Sequence, residues 1–207
     1  MWFNMYPKYV EVGNKKYKIN TSYKTAIECN TIAEDENIND VERALAIIYK
    51  LFGEEALEDV ENREMLLKKA QKYLSCGMDV SNANEERDID FVQDMPYIKA
   101  SFMSDYHINL NEIDMHWWEF YELINGLSNS DMGNCCVLNR IRNIRTFNLG
   151  EIKDPKEKEK MRKAKQAVAL KKKKKKATYQ QQESAREFYK EFLRKEWFYG
   201  RRGCNWY

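Results

Sequence analysis

Apolar residues recur along this chain with two periods, and the change from one to the other marks where strand gives way to helix. Near the N-terminus Val10 and Val12 alternate with polar neighbours, Gly13-Asn14 supplies a tight turn, and Tyr17 and Ile19 alternate again. That pattern predicts a β-hairpin, which is marginal alone in water and must pack on the segments that follow. Beyond it the helical period takes over. Thr21 or Ser22 can cap a segment carrying Tyr23, Ala26, Ile27 and Ile32. The clearest period follows Asn39, where Val41, Ala44, Leu45, Ile48, Tyr49 and Phe52 share one predicted face. Asn39 and Glu42 are spaced for a capping box, and Gly53 suits a left-handed stop.

A further helix is expected from Glu61 to Cys76, with Leu66, Ala70, Tyr73 and Leu74 on one face and Gly77 at its end. Met78 to Arg87 has no period and reads as a loop. From Asp88 the set Phe91, Met95, Ile98, Phe102 and Tyr106 is helical again, and Pro96 must kink that helix or restart it after Met95. Asp114 is placed to cap a segment bearing Trp117, Phe120, Tyr121, Ile124 and Leu127, which Gly126 closes. Val137, Ile141 and Ile144 predict another short helix. The fold class expected is mainly α: a helical bundle with a small N-terminal hairpin over 1–150, then a charged arm over 151–207.

Charge separates the two parts. Residues 1–150 carry 16 basic and 25 acidic side chains, whereas 151–176 carry 13 and 4, inside a total of only +2. Asp154, Pro155 and Glu157 form a helix start, but Met161, Ala164 and Val168 make a thin apolar stripe before the run Lys171, Lys172, Lys173, Lys174, Lys175 and Lys176. The period resumes at Phe188, Tyr189, Phe192, Leu193 and Trp197. Helical throughout, 154–198 would span about 67 Å, too long to bury on a body of about 15 Å radius of gyration. The stripe at Phe188, Phe192 and Trp197 is therefore expected to meet a partner. The lysine run reads as a solvated linker rather than a nucleic-acid arm, because no base-stacking aromatic is interleaved with it.

Catalytic and cofactor signals are absent. There is no phosphate loop, dinucleotide fingerprint, nucleophile elbow or HExxH, so no enzyme activity and no cofactor is expected. Five cysteines without CxxC spacing, and two histidines far from the paired cysteines, favour reduced thiols over a metal site. Asp88, Asp90 and Asp94 suit the solvated first turn of a helix better than a divalent cation. No apolar run approaches a membrane span, and the N-terminus has no signal-peptide pattern, so the protein is expected in the cytoplasm. His116-Trp117-Trp118-Glu119-Phe120-Tyr121 is the densest aromatic stretch. Trp117 keeps the spacing of Phe120 and Tyr121, while Trp118 projects about 100° away, to be covered by another element or a partner.

The run Asp90-Phe91, Asp94, Ile98, Ala100-Ser101-Phe102, Tyr106, Ile108-Asn109-Leu110, His116-Trp117-Trp118, Phe120 and Ile141-Arg142-Asn143-Ile144-Arg145 resembles the bacteriophage "gene product fifteen" family over about residues 8–170. Such proteins are encoded in the tail modules of long-tailed phages and prophages, near the major tail and tape-measure genes. The resemblance implies a tail-assembly chaperone in the bacterial host cytoplasm, with tail proteins as partners and no active-site residues. A structural tail component and a basic-armed nucleic-acid-binding protein are the rival classes, and a homo-oligomer is compatible with each. The lysine run and the aromatic tail lie outside the similar region.

Overall fold

The computed structural model describes residues 6–78, 87–129 and 135–171. Strands β1 (Tyr9–Val12) and β2 (Lys15–Lys18) are followed by α1 (Tyr23–Ala33), α2 (Asp40–Phe52), α3 (Glu54–Glu58) and α4 (Arg63–Leu74). Then come α5 (Met95–Tyr106), α6 (Trp117–Asn125), α7 (Val137–Thr146) and α8 (Pro155–Val168). Single 3-10 turns occupy Val60–Asn62 and Leu149–Glu151. Among the described residues the protein is mainly helical with one small antiparallel hairpin. No helix among the described residues is long and apolar enough to cross a membrane.

The hairpin pairs Val10 with Tyr17 across a two-residue loop in which Gly13 takes φ +58°, a conformation glycine adopts without a Cβ clash. Its apolar face enters the core through Val12, Tyr17 and Ile19, as the alternation predicts. Tyr17 donates its hydroxyl to Asp59 just after α3, and Asn62 and Lys15 donate to the same carboxylate at 2.9 and 3.1 Å. These bonds, the Tyr17 bond above all, hold the Asp59 carboxyl down to about 2.

Antiparallel backbone bonds tie the starts of α1 and α6 together. The Tyr23 N–H donates to Met115 O at 3.0 Å, and the Trp117 N–H donates to Thr21 O at 2.8 Å. Ser22 caps α1, as expected, and its hydroxyl engages the Asp114 carboxylate at 2.8 Å. Asp114 is thereby drawn to α1, and His116 rather than Asp114 caps α6. Behind this seam Tyr23 stacks on Phe120 with ring centroids 4.5 Å apart, and Phe120 stacks on Phe102 at 5.4 Å.

Residues 88–94 are not helical, so the chain starts α5 at Met95 rather than kinking at Pro96. Asp90 accepts from the N–H groups of Val92 and Gln93, and Asp94 accepts from that of Asp90; these local bonds compete with helix formation. Pro96 sits in the first turn, where a missing N–H costs nothing. The acidic cluster is not solvated there: Asp94 is buried and receives both terminal nitrogens of Arg145 at 2.7 Å, while Arg142 pairs with Asp88 at 2.7 Å. Opposite charges separated by about fifty positions cannot be matched by period or spacing, so the pairing stayed invisible in the sequence.

Within the described residues the first helix of the charged arm ends at Val168, since Ala169 leaves the helical region at ψ 137°. A helix running through to residue 198 is thereby ruled out. As far as Lys171 the arm lies against α7. Arg145 Nε donates to Val168 O at 2.6 Å, and Lys165 Nζ donates to Phe147 O at 2.6 Å.

Candidate partner-binding surface

The predicted capping box of α2 is present: Asn39 Oδ1 accepts from the N–H groups of Val41 and Glu42 at 3.0 and 2.9 Å, and Glu42 returns a bond to the Asn39 N–H at 3.0 Å. The face that meets the core is rotated from the expected one. Ile47, Ile48, Leu51 and Phe52 are buried, whereas Val41 and Tyr49 are each 51% exposed and Leu45 is half-buried. Spacing i, i+4, i+8 stacks Val41, Leu45 and Tyr49 in one row. The apolar sector of α2 is thus wider than the core it covers. A single helical period could not show this, because Ile47 and Leu51 belong to the buried side and widen the sector to both flanks. Tyr49 also borders an open cleft of about 770 Å³ lined by Lys18, Ile19, Phe52 and Glu54.

The aromatic stretch at α6 serves the interior. Trp117 is 1% exposed and Trp118 is partly buried, the order that spacing predicts. Both indole N–H groups donate to the end of α4, Trp117 to Leu74 O at 3.0 Å and Trp118 to Tyr73 O at 2.9 Å. There the chain turns through two left-handed residues, Cys76 at φ +54° and Gly77 at φ +77°, and the Gly77 N–H bonds back to Lys72 O at 2.9 Å. Trp118 also stacks on Tyr73 with centroids 6.2 Å apart. The element that covers Trp118 is therefore the end of α4.

His116 joins these pieces. Its Nε2 lies 3.0 Å from Pro7 O, which can only accept, so Nε2 carries the proton and the bare Nδ1 accepts from the Trp118 N–H at 3.1 Å. Tyr6 stacks on the ring at 4.9 Å and Tyr73 meets its edge at 5.8 Å. Burial lowers the imidazole pKa, keeping the neutral tautomer that this double role requires.

The arm leaves the body at a second fixed point. The Gln93 carboxamide accepts from the Lys171 N–H at 2.9 Å and donates to Lys171 O at 3.2 Å. Only Lys171 of the lysine run is placed. Lys172, Lys173, Lys174, Lys175 and Lys176, and the aromatic residues Phe188, Phe192 and Trp197, lie outside the described residues.

No group of three or more metal-type side chains gathers among the described residues. Cys29, Cys76 and Cys136 are free thiols, and burial pushes the Cys29 and Cys76 thiols up to about 12, where they stay protonated and unreactive. The open features among the described residues are an apolar row on α2, exposed carboxylates on α3 and exposed lysines on α8.

A family described as Bacteriophage Gp15 protein matches residues 4–170. The chain belongs to that family. The match ends beside Lys171, where the Gln93 clamp holds the chain, so the family region is the hairpin, the helices and the docked α8. Neither the curated proteins nor the solved structures give a match. The residues that carry the resemblance have structural duties in the fold. Asp94 and Arg145 form the buried pair, Ser101 accepts from the Leu138 N–H at 3.1 Å, and His116, Trp117 and Trp118 seal the end of α4.

Proposed function

We propose that this phage protein is a tail-assembly chaperone that acts in the host cytoplasm by binding, without covalent chemistry. Its client is the apolar stripe of a long helical tail protein, of the tape-measure kind, before the tail tube closes around it. The observation that carries the reading is the row Val41, Leu45 and Tyr49, three apolar side chains stacked along one helix face, with Val41 and Tyr49 each 51% exposed. An amphipathic helix laid along such a row buries its own apolar face by helix-in-groove recognition. Membership of a phage family supports the setting, and the spacing of Phe188, Phe192 and Trp197 in the sequence, outside the described residues, is that expected of a second apolar stripe for the same client.

Co-expression with the tape-measure protein of the same phage tests the reading. The chain keeps that protein soluble and co-purifies with it, and Val41→Ser/Tyr49→Ser abolishes the effect without changing the circular dichroism spectrum. Mass spectrometry of finished particles then finds no copies of the chain. A stoichiometric presence in the particle would replace the chaperone with a structural tail component.

A further inference from the structure

The charge asymmetry read from the sequence has a spatial counterpart. Over 54–64 the chain carries six carboxylates, Glu54, Glu55, Glu58, Asp59, Glu61 and Glu64, against the single base Arg63. All but Asp59 are exposed, and Glu54, Glu55, Glu58 and Glu61 form no ion pair among the described residues. Val60 and Met65 stand among them, 63% and 48% exposed. Over 153–171 the balance is reversed, with eight bases against three acids. Lys153, Lys156, Lys158 and Lys160 are exposed and likewise unpaired among the described residues.

The two surfaces do not neutralise each other within one molecule. α3 packs on α2 and α4, whereas α8 packs on α7 and the turn before it, and no ion pair joins the two regions among the described residues. Lys171, the first residue of the lysine run, is exposed and held by Gln93 after α8.

We infer that the acidic, apolar-studded face of α3 and the 3-10 turn after it receives the basic α8 face of a second copy of this chain. Complementary charge on a single sequence favours that occupant. Nucleic acid can satisfy only the basic face and leaves the carboxylates with Val60 and Met65 uncovered. Because each copy offers one face of each kind, the contact is heterologous and copies join head to tail, as a ring or an open row. Its driving force is charge between exposed groups, so the assembly is weak and screened by salt.

Sedimentation velocity of the full chain over a concentration series tests this at about 30 mM and about 500 mM salt. Concentration-dependent species larger than a monomer form at low salt and dissolve at high salt. Two charge reversals locate the contact: Glu54→Lys/Glu55→Lys/Glu58→Lys/Glu61→Lys on the acidic face, and Lys153→Glu/Lys156→Glu/Lys158→Glu/Lys160→Glu on the basic face. All eight side chains are exposed, and circular dichroism verifies that both variants fold. Each alone associates at least about tenfold more weakly, since four screened pairs are lost. Mixing the two restores association, because each reversed face again finds its opposite.

A chain that stays monomeric at low salt, with its arm closed on its own body or with its basic face taken by a duplex DNA probe, overturns the inference. So does a pair of variants that fails to complement on mixing.

Discussion

Replacing Arg145 by Met retains most of the side-chain stem while removing the guanidinium that joins four parts of the protein. Arg145 is only 10% exposed in its side chain and Asp94 1%, so solvent screens their attraction little. Four N–H bonds are lost together: two to Asp94, one to Asp88 O at 2.8 Å and one to Val168 O at 2.6 Å. The dominant cost is the Asp94 carboxylate left buried without its counter-charge, about 3 to 5 kcal/mol by analogy with other broken buried pairs. Set against a typical stability of about 5 to 15 kcal/mol, that is a large fraction. Urea denaturation read by tryptophan fluorescence gives the difference by linear extrapolation. Adding Asp94→Leu removes the stranded charge and recovers part of the loss. Recovery stops short of the parent, because the Asp90 N–H loses its acceptor along with Asp94 and the Asp88 and Val168 carbonyls still lack their donor. A single variant costing under about 1 kcal/mol, or a double variant less stable than the single, would refute the assignment of this pair as the tie between α5, α7 and α8.

Trp117→Ala should cost roughly 3 to 5 kcal/mol and Trp117→Phe roughly 1 to 3, the smaller loss reflecting mainly the Leu74 carbonyl without its indole donor; equal losses in chemical denaturation would contradict this. At His116 the native state binds a proton less readily than the unfolded chain, so its contribution is present above the ordinary value of 6.5 and is lost as pH falls below it. His116→Asn keeps a side-chain cap for Trp118 N–H without a titrating ring, and its thermal stability should stay flatter than the parent's across that range. A chain ending at Gly150 should keep a cooperative melt but lose roughly 1 to 3 kcal/mol with the α8 contacts, whereas a chain ending at Lys171 should match the full length.

Local signals governed what the sequence could determine alone. Alternation at Val10, Val12, Tyr17 and Ile19 set the hairpin, and the Asn39–Glu42 pair, Gly53 and Asp154-Pro155 marked helix ends, because capping bonds and backbone sterics act within three or four residues. The order of burial of Trp117 and Trp118 was legible for the same reason, since a helix turns each residue through a fixed angle. Tertiary structure decided whatever depends on a distant partner. Asp114 lost its expected capping role because Ser22 claims its carboxylate, and Asp94 became a buried anion because Arg145 folds against it. Spacing alone offered Val41 and Tyr49 to the core; neighbouring elements cover the Ile47 and Leu51 side instead. A period reports how wide an apolar sector is, and only the packed neighbours decide which part of it meets water and remains open to a partner.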